Sequence, residues 1–158
     1  HLWRFPSLAV TLLEMKKHGK AYAQQTIKNA KKLAESLDQL GFEVMAKKYG
    51  FTESHQVVLD VSQHSGGFKA AVDLETANII CNKNLLYKDH VQNMPEPSGL
   101  RLGTQEITRL GMKENDMKTI AEFYRRIVID KESPEKIKSE VLEFRSKFTK
   151  VHYTLEDE

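Results

Sequence analysis

Apolar residues recur at helical spacing over most of the chain and at strand spacing in only a few short stretches. Pro6-Ser7 can open a helix, after which Leu8, Leu12 and Met15 repeat on one face. Gly19 predicts an interruption. Beyond it Ala23, Ile27, Ala30, Ala34 and Leu37 repeat by four and three, with Lys28, Lys31, Lys32 and Glu35 elsewhere on the wheel. That pattern predicts an amphipathic helix ending at Gly41. Phe42 to Tyr49 fits a short strand or an irregular turn. Gln56 to Val61 is the clearest strand, and its apolar residues Val57, Val58, Leu59 and Val61 fall on both sides, so both faces can be covered. Asp60 breaks that run, and an aspartate buried there needs a partner that the sequence does not name. Phe68 to Thr76 reads as a helix with Phe68, Ala71 and Val72 inward, followed by a second strand at Ile79-Ile80-Cys81. Met117, Ile120, Ala121, Tyr124, Ile127 and Val128 form another helical face. Ser133-Pro134-Glu135 signals the start of a last helix, whose inward stripe is Ile137, Val141, Phe144 and Phe148. His152 to Glu158 is expected to fray.

The stretch from Ser98 to Gly111 organises the rest. Leu100-Arg101-Leu102 alternates like a short strand, which puts Arg101 on the face opposite its two leucines. Gly99 and Gly103 bracket it. Thr104 stands at a helix N-cap position with Glu106 in the first turn, and Gly111 is a helix stop. One arginine on a rigid strand presents a planar fork suited to a carboxylate or phosphate. A surface salt bridge is the plain alternative.

Length and composition narrow the function classes. A chain of 158 residues buries one good core, so one domain is the default. The 24 basic and 22 acidic residues nearly cancel, which gives no reason to expect nucleic acid or an anionic membrane as partner. No apolar run approaches the ~20 residues of a membrane helix. There is no basic-then-apolar signal segment, and the chain opens His1-Leu-Trp-Arg-Phe-Pro6 rather than with methionine, which reads as an internal piece of a longer protein. Cys81 is the single cysteine, expected as a buried thiol in a reducing cytoplasm. Six histidines lack ligand spacing, so no metal site is expected. The glycine pair Gly66-Gly67 before a helix could seat a phosphate, but without a fuller glycine pattern an ordinary loop is the better reading. Asn82 to Pro97 is a long loop, of a length that often carries function.

Three blocks bring in a resemblance. Ser98-Gly-Leu-Arg-Leu-Gly-Thr104 followed by Ile107-Thr-Arg-Leu-Gly-Met-Lys-Glu114 resembles the C-terminal domain of serine hydroxymethyltransferases, enzymes of the type I pyridoxal-phosphate-dependent fold. Asn78-Ile-Ile-Cys-Asn-Lys-Asn84 is similar to that family's Ala-Asn-Ile-x-x-Asn-Lys-Asn segment, and His55-Gln-Val-Val-Leu-Asp-Val61 to its His-x-x-hydrophobic-Val-Asp-Leu strand. The likeness covers roughly residues 1 to 130. The sequence departs from the family at Leu85-Leu-Tyr-Lys-Asp89, where many members soon show a proline.

Pattern and resemblance together imply an α/β (α+β) two-layer fold, a small mostly antiparallel sheet covered on one face by helices. Residues 1–40 would form a connecting helical segment, 41–130 the α/β core and 131–158 a C-terminal helix and tail. The resemblance implies an enzyme that interconverts serine and glycine, with pyridoxal phosphate as cofactor and tetrahydrofolate or another tetrahydropterin as co-substrate, in a cytoplasmic homodimer. Arg101 would bind the substrate carboxylate and Asn84 would lie near the pterin. The family's cofactor-bearing lysine sits in a Thr-Thr-Thr-His-Lys-like motif that this sequence lacks, so no catalytic residue is expected in this chain and it should be inactive alone. Two alternatives stand beside this reading. One is the small domain of another pyridoxal-phosphate-dependent aldolase or aminotransferase. The other is a stand-alone carboxylate-binding or interaction module, whose amphipathic helices would suit a partner. Trp3, Phe5, Leu8 and Leu12 are expected to form an exposed apolar patch.

Overall fold

In the computed structural model residues 2–157 are described, the side chain of Asn93 excepted. The chain runs α1 (Phe5–Gln39), β1 (Glu43–Val44), β2 (Gln56–Asp60), α2 (Gly66–Thr76), β3 (Asn82–Asn84), β4 (Gly99–Gly103), α3 (Gln105–Arg109), α4 (Glu114–Val128) and α5 (Pro134–Ser146). The four strands form one sheet in the order β1-β2-β4-β3, and all three pairings are antiparallel. Helices α1 and α2 lie against one face of it, α4 packs along α1 and α2, and α5 packs on α2 and α4. This is the helix-covered antiparallel sheet that the sequence pattern implies.

Glycine and asparagine decide where three helices stop. Gly41 and Gly111 take positive φ of 96° and 92°. Beyond each, the next amide reaches back to close the last turn, Phe42 N–H to Leu37 O at 3.1 Å and Met112 N–H to Ile107 O at 3.1 Å. Asn78 does the same for α2 at φ 63°, with Ile79 N–H donating to Leu74 O at 2.8 Å. That cap corrects the expected strand at 79–81. Ile79 completes the helix stop, Ile80 is exposed, and the third strand begins only at Asn82. Gly19 does not interrupt α1, which is continuous over 35 residues; one glycine costs a helix only about 1 kcal/mol, and its neighbours are good helix formers.

The core joins Leu33 and Leu37 of α1, Val57 and Leu59 of β2, Leu74 of α2, Leu100 and Leu102 of β4, and Met117 and Ile127 of α4. The inward stripe of α2 is Gly67, Ala70 and Leu74, whereas Phe68 and Val72 face solvent. Gly67 sets this phase: a Cβ there would stand 2.3 Å from the Gly99 carbonyl oxygen, so only glycine lets α2 approach β4. On β2, Val57 and Leu59 are buried but Val58 is half-exposed, so a single face is covered. Cys81 is half-buried rather than buried. Burial pushes its thiol up to about 11 despite a hydrogen bond with Tyr124. The tail does not fray as far as Asp157. His152 N–H donates to Arg109 O at 2.7 Å, Lys17 Nζ reaches Asp157 O at 2.6 Å, and Tyr153 lies 5.2 Å from the Tyr22 ring. Glu158 lies outside the described residues. At the other end Trp3, Phe5, Leu8 and Leu12 are exposed on the first turns of the chain, as expected, and Leu13 with them.

Candidate functional site

Strand β4 carries the two sides of the molecule in three residues. Leu100 and Leu102 are buried against the helices, and Arg101 points to the open face. Residues paired across strands share a face, so the open face is laid out by register. Arg101 lies between Val58 on β2 and Asn82 on β3, and in the next row Gly99 lies between Asp60 and Asn84. Asn84 is thus the diagonal neighbour of Arg101, roughly 7–8 Å away by sheet geometry. Among the described residues no ion pair or hydrogen bond engages the Arg101 guanidinium. The surface salt bridge of the plain alternative is therefore not formed among the described residues.

The strand is held still from both ends. Behind it, Thr104 stands at the start of α3 as expected, but its hydroxyl does not cap the helix. It donates to Thr26 O at 3.0 Å on α1 and lies 3.3 Å from His55 O. Thr108 donates to Thr104 O at 2.6 Å and accepts from Asn29 Nδ2 at 2.8 Å, and Asn29, fully buried, also donates to Met112 O at 2.9 Å. The threonines of the central motif fasten β4 and α3 to the long helix. Arg109 pairs with the buried Glu14 further along the same helix.

In front of the sheet, the segment between β3 and β4 supplies the partner that Asp60 needs. Lys88 and Ser62 both bond its carboxylate, Ser62 through Oγ at 2.7 Å and N–H at 3.0 Å. Burial pushes the Asp60 carboxyl up, but these bonds outweigh it and hold the group below its ordinary value. Asp89 accepts from Leu86 N–H at 2.9 Å, from Ser98 N–H at 3.0 Å and from the Ser98 hydroxyl, which keeps it low as well. Leu86 is buried over Gly99, where a Cβ would meet it at 2.6 Å. Asn84 turns its own amide to Leu85 O at 2.7 Å. Sequence reasoning placed Asp60 and the long loop without roles. The signal it lacked was that Lys88 reaches back to Asp60 and Asp89 forward to Ser98, contacts that follow no sequence spacing.

A cleft of about 400 Å³ opens beside Arg101, lined by His55, Cys81, Asn82, Gln105 and Glu106 among others. A larger hollow, about 660 Å³, lies instead at the tail between His18, Lys113, His152 and Asp157. Volume does not choose between them. The chemistry does, because the cleft holds an arginine with no partner among the described residues, whereas at the tail Lys150 is paired with Asp157. The glycine pair offers no phosphate seat. Gly66 N–H is taken by Val61 O and Gly67 N–H by Pro97 O. Among the described residues no three His, Cys, Asp or Glu side chains gather as a metal site, and no helix is long and apolar enough to cross a membrane.

Comparison with known proteins places the chain in a family. A family model described as serine hydroxymethyltransferase matches residues 2–124. Proteins named serine hydroxymethyltransferase are 56% identical over 153 residues in Staphylothermus marinus and 51% identical over 157 residues in Saccharolobus islandicus. These alignments cover 97% and 99% of this chain but 35% and 36% of the relatives, so the chain spans about a third of their length. Among solved structures, an L-threonine transaldolase from Pseudomonas fluorescens superposes with a TM-score of 0.79 at 31% identity, over 94% of this chain and 33% of that one. The chain belongs to the serine hydroxymethyltransferase family.

Proposed function

We propose that this chain forms the C-terminal part of an enzyme that interconverts serine and glycine and passes the one-carbon unit to a tetrahydropterin. The observation that carries the reading is the unpartnered Arg101 on the open sheet face, with Asn84 as its diagonal neighbour. Arg101 would take the carboxylate of serine or glycine through two parallel charge-assisted hydrogen bonds. That grip fixes the amino acid's orientation, because a planar fork meets a planar carboxylate in one register. Asn84, on the same face, would lie at the edge of the pterin. Pyridoxal phosphate supplies the electron sink for a carbanion at the substrate's α carbon. It would attach through the family's lysine in a Thr-Thr-Thr-His-Lys-like motif, which this sequence lacks. What the residues of this chain fit is the amino-acid end. A cytoplasmic homodimer belongs to the same proposal, and the exposed apolar start of α1 supports further protein covering it.

The likeness to a threonine transaldolase favours a second reading, in which the same arginine serves aldehyde transfer from a β-hydroxy amino acid without a pterin. One assay separates the two. The full-length enzyme is given serine, or threonine with an acceptor aldehyde, each with and without tetrahydrofolate. The proposal expects serine turnover that requires the pterin. Pterin-independent aldehyde exchange as the faster reaction would transfer the assignment to the second reading. The isolated chain is expected to turn over neither.

A further inference from the structure

By alternation Gly99, Arg101 and Gly103 share the open face of β4, and two of the three have no side chain. The space over Gly103 is filled from outside the strand. A Cβ there would stand 2.6 Å from Gln105 Oε1 and 3.2 Å from Gln105 Nε2. Gln105 opens α3, yet its carboxamide folds back over β4 onto the position next to Arg101 on that face. Two residues of strand separate Arg101 from Gly103 by about 7 Å, a distance that two long side chains and one carboxylate between them span. Arg101 and Gln105 line the same cleft of about 400 Å³.

The backbone of Gln105 is held and its side-chain end is free. The Tyr22 hydroxyl of α1 donates to Gln105 O at 2.9 Å, and the neighbouring Thr104 hydroxyl donates to Thr26 O on the same helix. Among the described residues no hydrogen bond engages the carboxamide, and Gln105 is exposed. Glu106, the carboxylate that shares the cleft, forms no ion pair with Arg101 among the described residues. A substrate carboxylate offers about four lone-pair positions, of which a guanidinium fork takes two. We infer that Gln105 binds the same carboxylate as Arg101, donating from Nε2 to an oxygen whose second lone pair the fork leaves open. The inference rests on the function proposed above and adds a second binding group to it. A neutral donor suits this place, because it tightens the grip without pairing with Arg101 as an acid there would. Gly103 belongs to the arrangement, since any side chain on it would push the carboxamide off the face. Only the end of a flexible side chain has to move for that, so alanine at 103 displaces Gln105 without straining the fold.

The test uses the full-length holoenzyme and calorimetric titration of glycine, with methylamine, which is glycine without its carboxylate, as the comparison. Gln105→Ala is expected to weaken glycine about 10-fold, the worth of one hydrogen bond to a charged group. Methylamine affinity and the melting midpoint should stay near wild type. Gln105→Glu should weaken glycine further, roughly 100-fold, because the new carboxylate pairs with Arg101 and repels the substrate's. Gly103→Ala should match Gln105→Ala, and the double variant should be no weaker than either alone, since both remove the same contact. Unchanged glycine affinity in Gln105→Ala, or equal weakening of glycine and methylamine, overturns the inference. Additive losses in the double variant overturn the role of Gly103. Arg101→Lys is run alongside. If it weakens glycine while Gln105→Ala does not, the inference fails and the proposed function stands. If it leaves glycine binding intact, the proposed function fails and the inference with it.

Discussion

The two faces of strand β4 are built by different physics. On the covered face Leu100 and Leu102 are fixed by what surrounds them: apolar side chains from α1, α2 and β2 exclude water, and burial is non-directional. On the open face Arg101 is exposed, and its position comes from directional bonds made elsewhere. Behind the strand these run through Thr104, Thr108 and Asn29 to α1, and in front through Asp89, Lys88 and Asp60 to the loop. The covered face therefore sets stability, and the open face carries the proposed function. A change on one should leave the other's property largely intact.

The largest effect is expected from breaking the covered face. Leu100→Ala removes a side chain with no exposed surface, at a cost of about 2–5 kcal/mol including the cavity it leaves. For a domain of this size the thermal midpoint should fall by roughly 5–15 °C, while glycine affinity of the molecules still folded should remain near wild type. An equal loss of affinity would show that the two faces are not separable. Asn29→Ala tests the support behind the strand. It removes the Asn29 donor from Met112 O and one of the two acceptors of Gln25 Nε2, for about 1–3 kcal/mol. Because the network ends at Thr104, one residue beyond β4, some loss of glycine affinity is expected together with the lower midpoint. Calorimetric melting and glycine titration on the same sample measure both.

A smaller effect is expected at the tail, far from either face. The Thr154 N–H at 3.1 Å and Lys150 at 3.1 Å hold the Asp157 carboxyl at about 2, below its ordinary 3.8. A carboxyl lowered on folding stabilises fully above its ordinary value, and that contribution is lost as the pH falls through the lowered one. The tail should therefore stay docked at pH 4 and release near pH 2. The resonances of Tyr153, which rests on Tyr22, should report the change, and Asp157→Asn should abolish the transition. An unchanged transition in that variant would assign the release to another group.

What could be read from the sequence follows the same division. The covered face was legible because burial leaves a periodic trace: Leu100 and Leu102 about a charge, the stripe from Ala30 to Leu37, and Met117 to Val128 on α4. The errors arose where a residue's neighbours come from distant parts of the chain. Phe68 and Val72 look inward by spacing, but Gly67, pressed against Gly99, turns α2 so that Ala70 and Leu74 face in instead. Ile79 looks like a strand because Asn78 in the left-handed region is not written as a glycine. Tyr153 and Asp157 look frayed because their partners Tyr22 and Lys17 are more than 100 residues earlier. On the open face Arg101 could be singled out, since one charge between two leucines has only one place to go. The Asp60–Lys88 and Asp89–Ser98 bonds could not, because bonds across a long loop follow no period.

The central claim is that Arg101 grips a carboxylate from the open face. Its most direct test is the titration of glycine and serine into the full-length enzyme by calorimetry, wild type against Arg101→Lys. Lysine keeps the charge and loses the fork. Removing one partner of a hydrogen-bonded charge pair costs about 2–5 kcal/mol, which corresponds to roughly thirtyfold or greater weakening for both amino acids. The melting midpoint and the bound cofactor should be unchanged, since the side chain is exposed. Unchanged amino-acid affinity in the variant would contradict the account and return Arg101 to an ordinary surface charge.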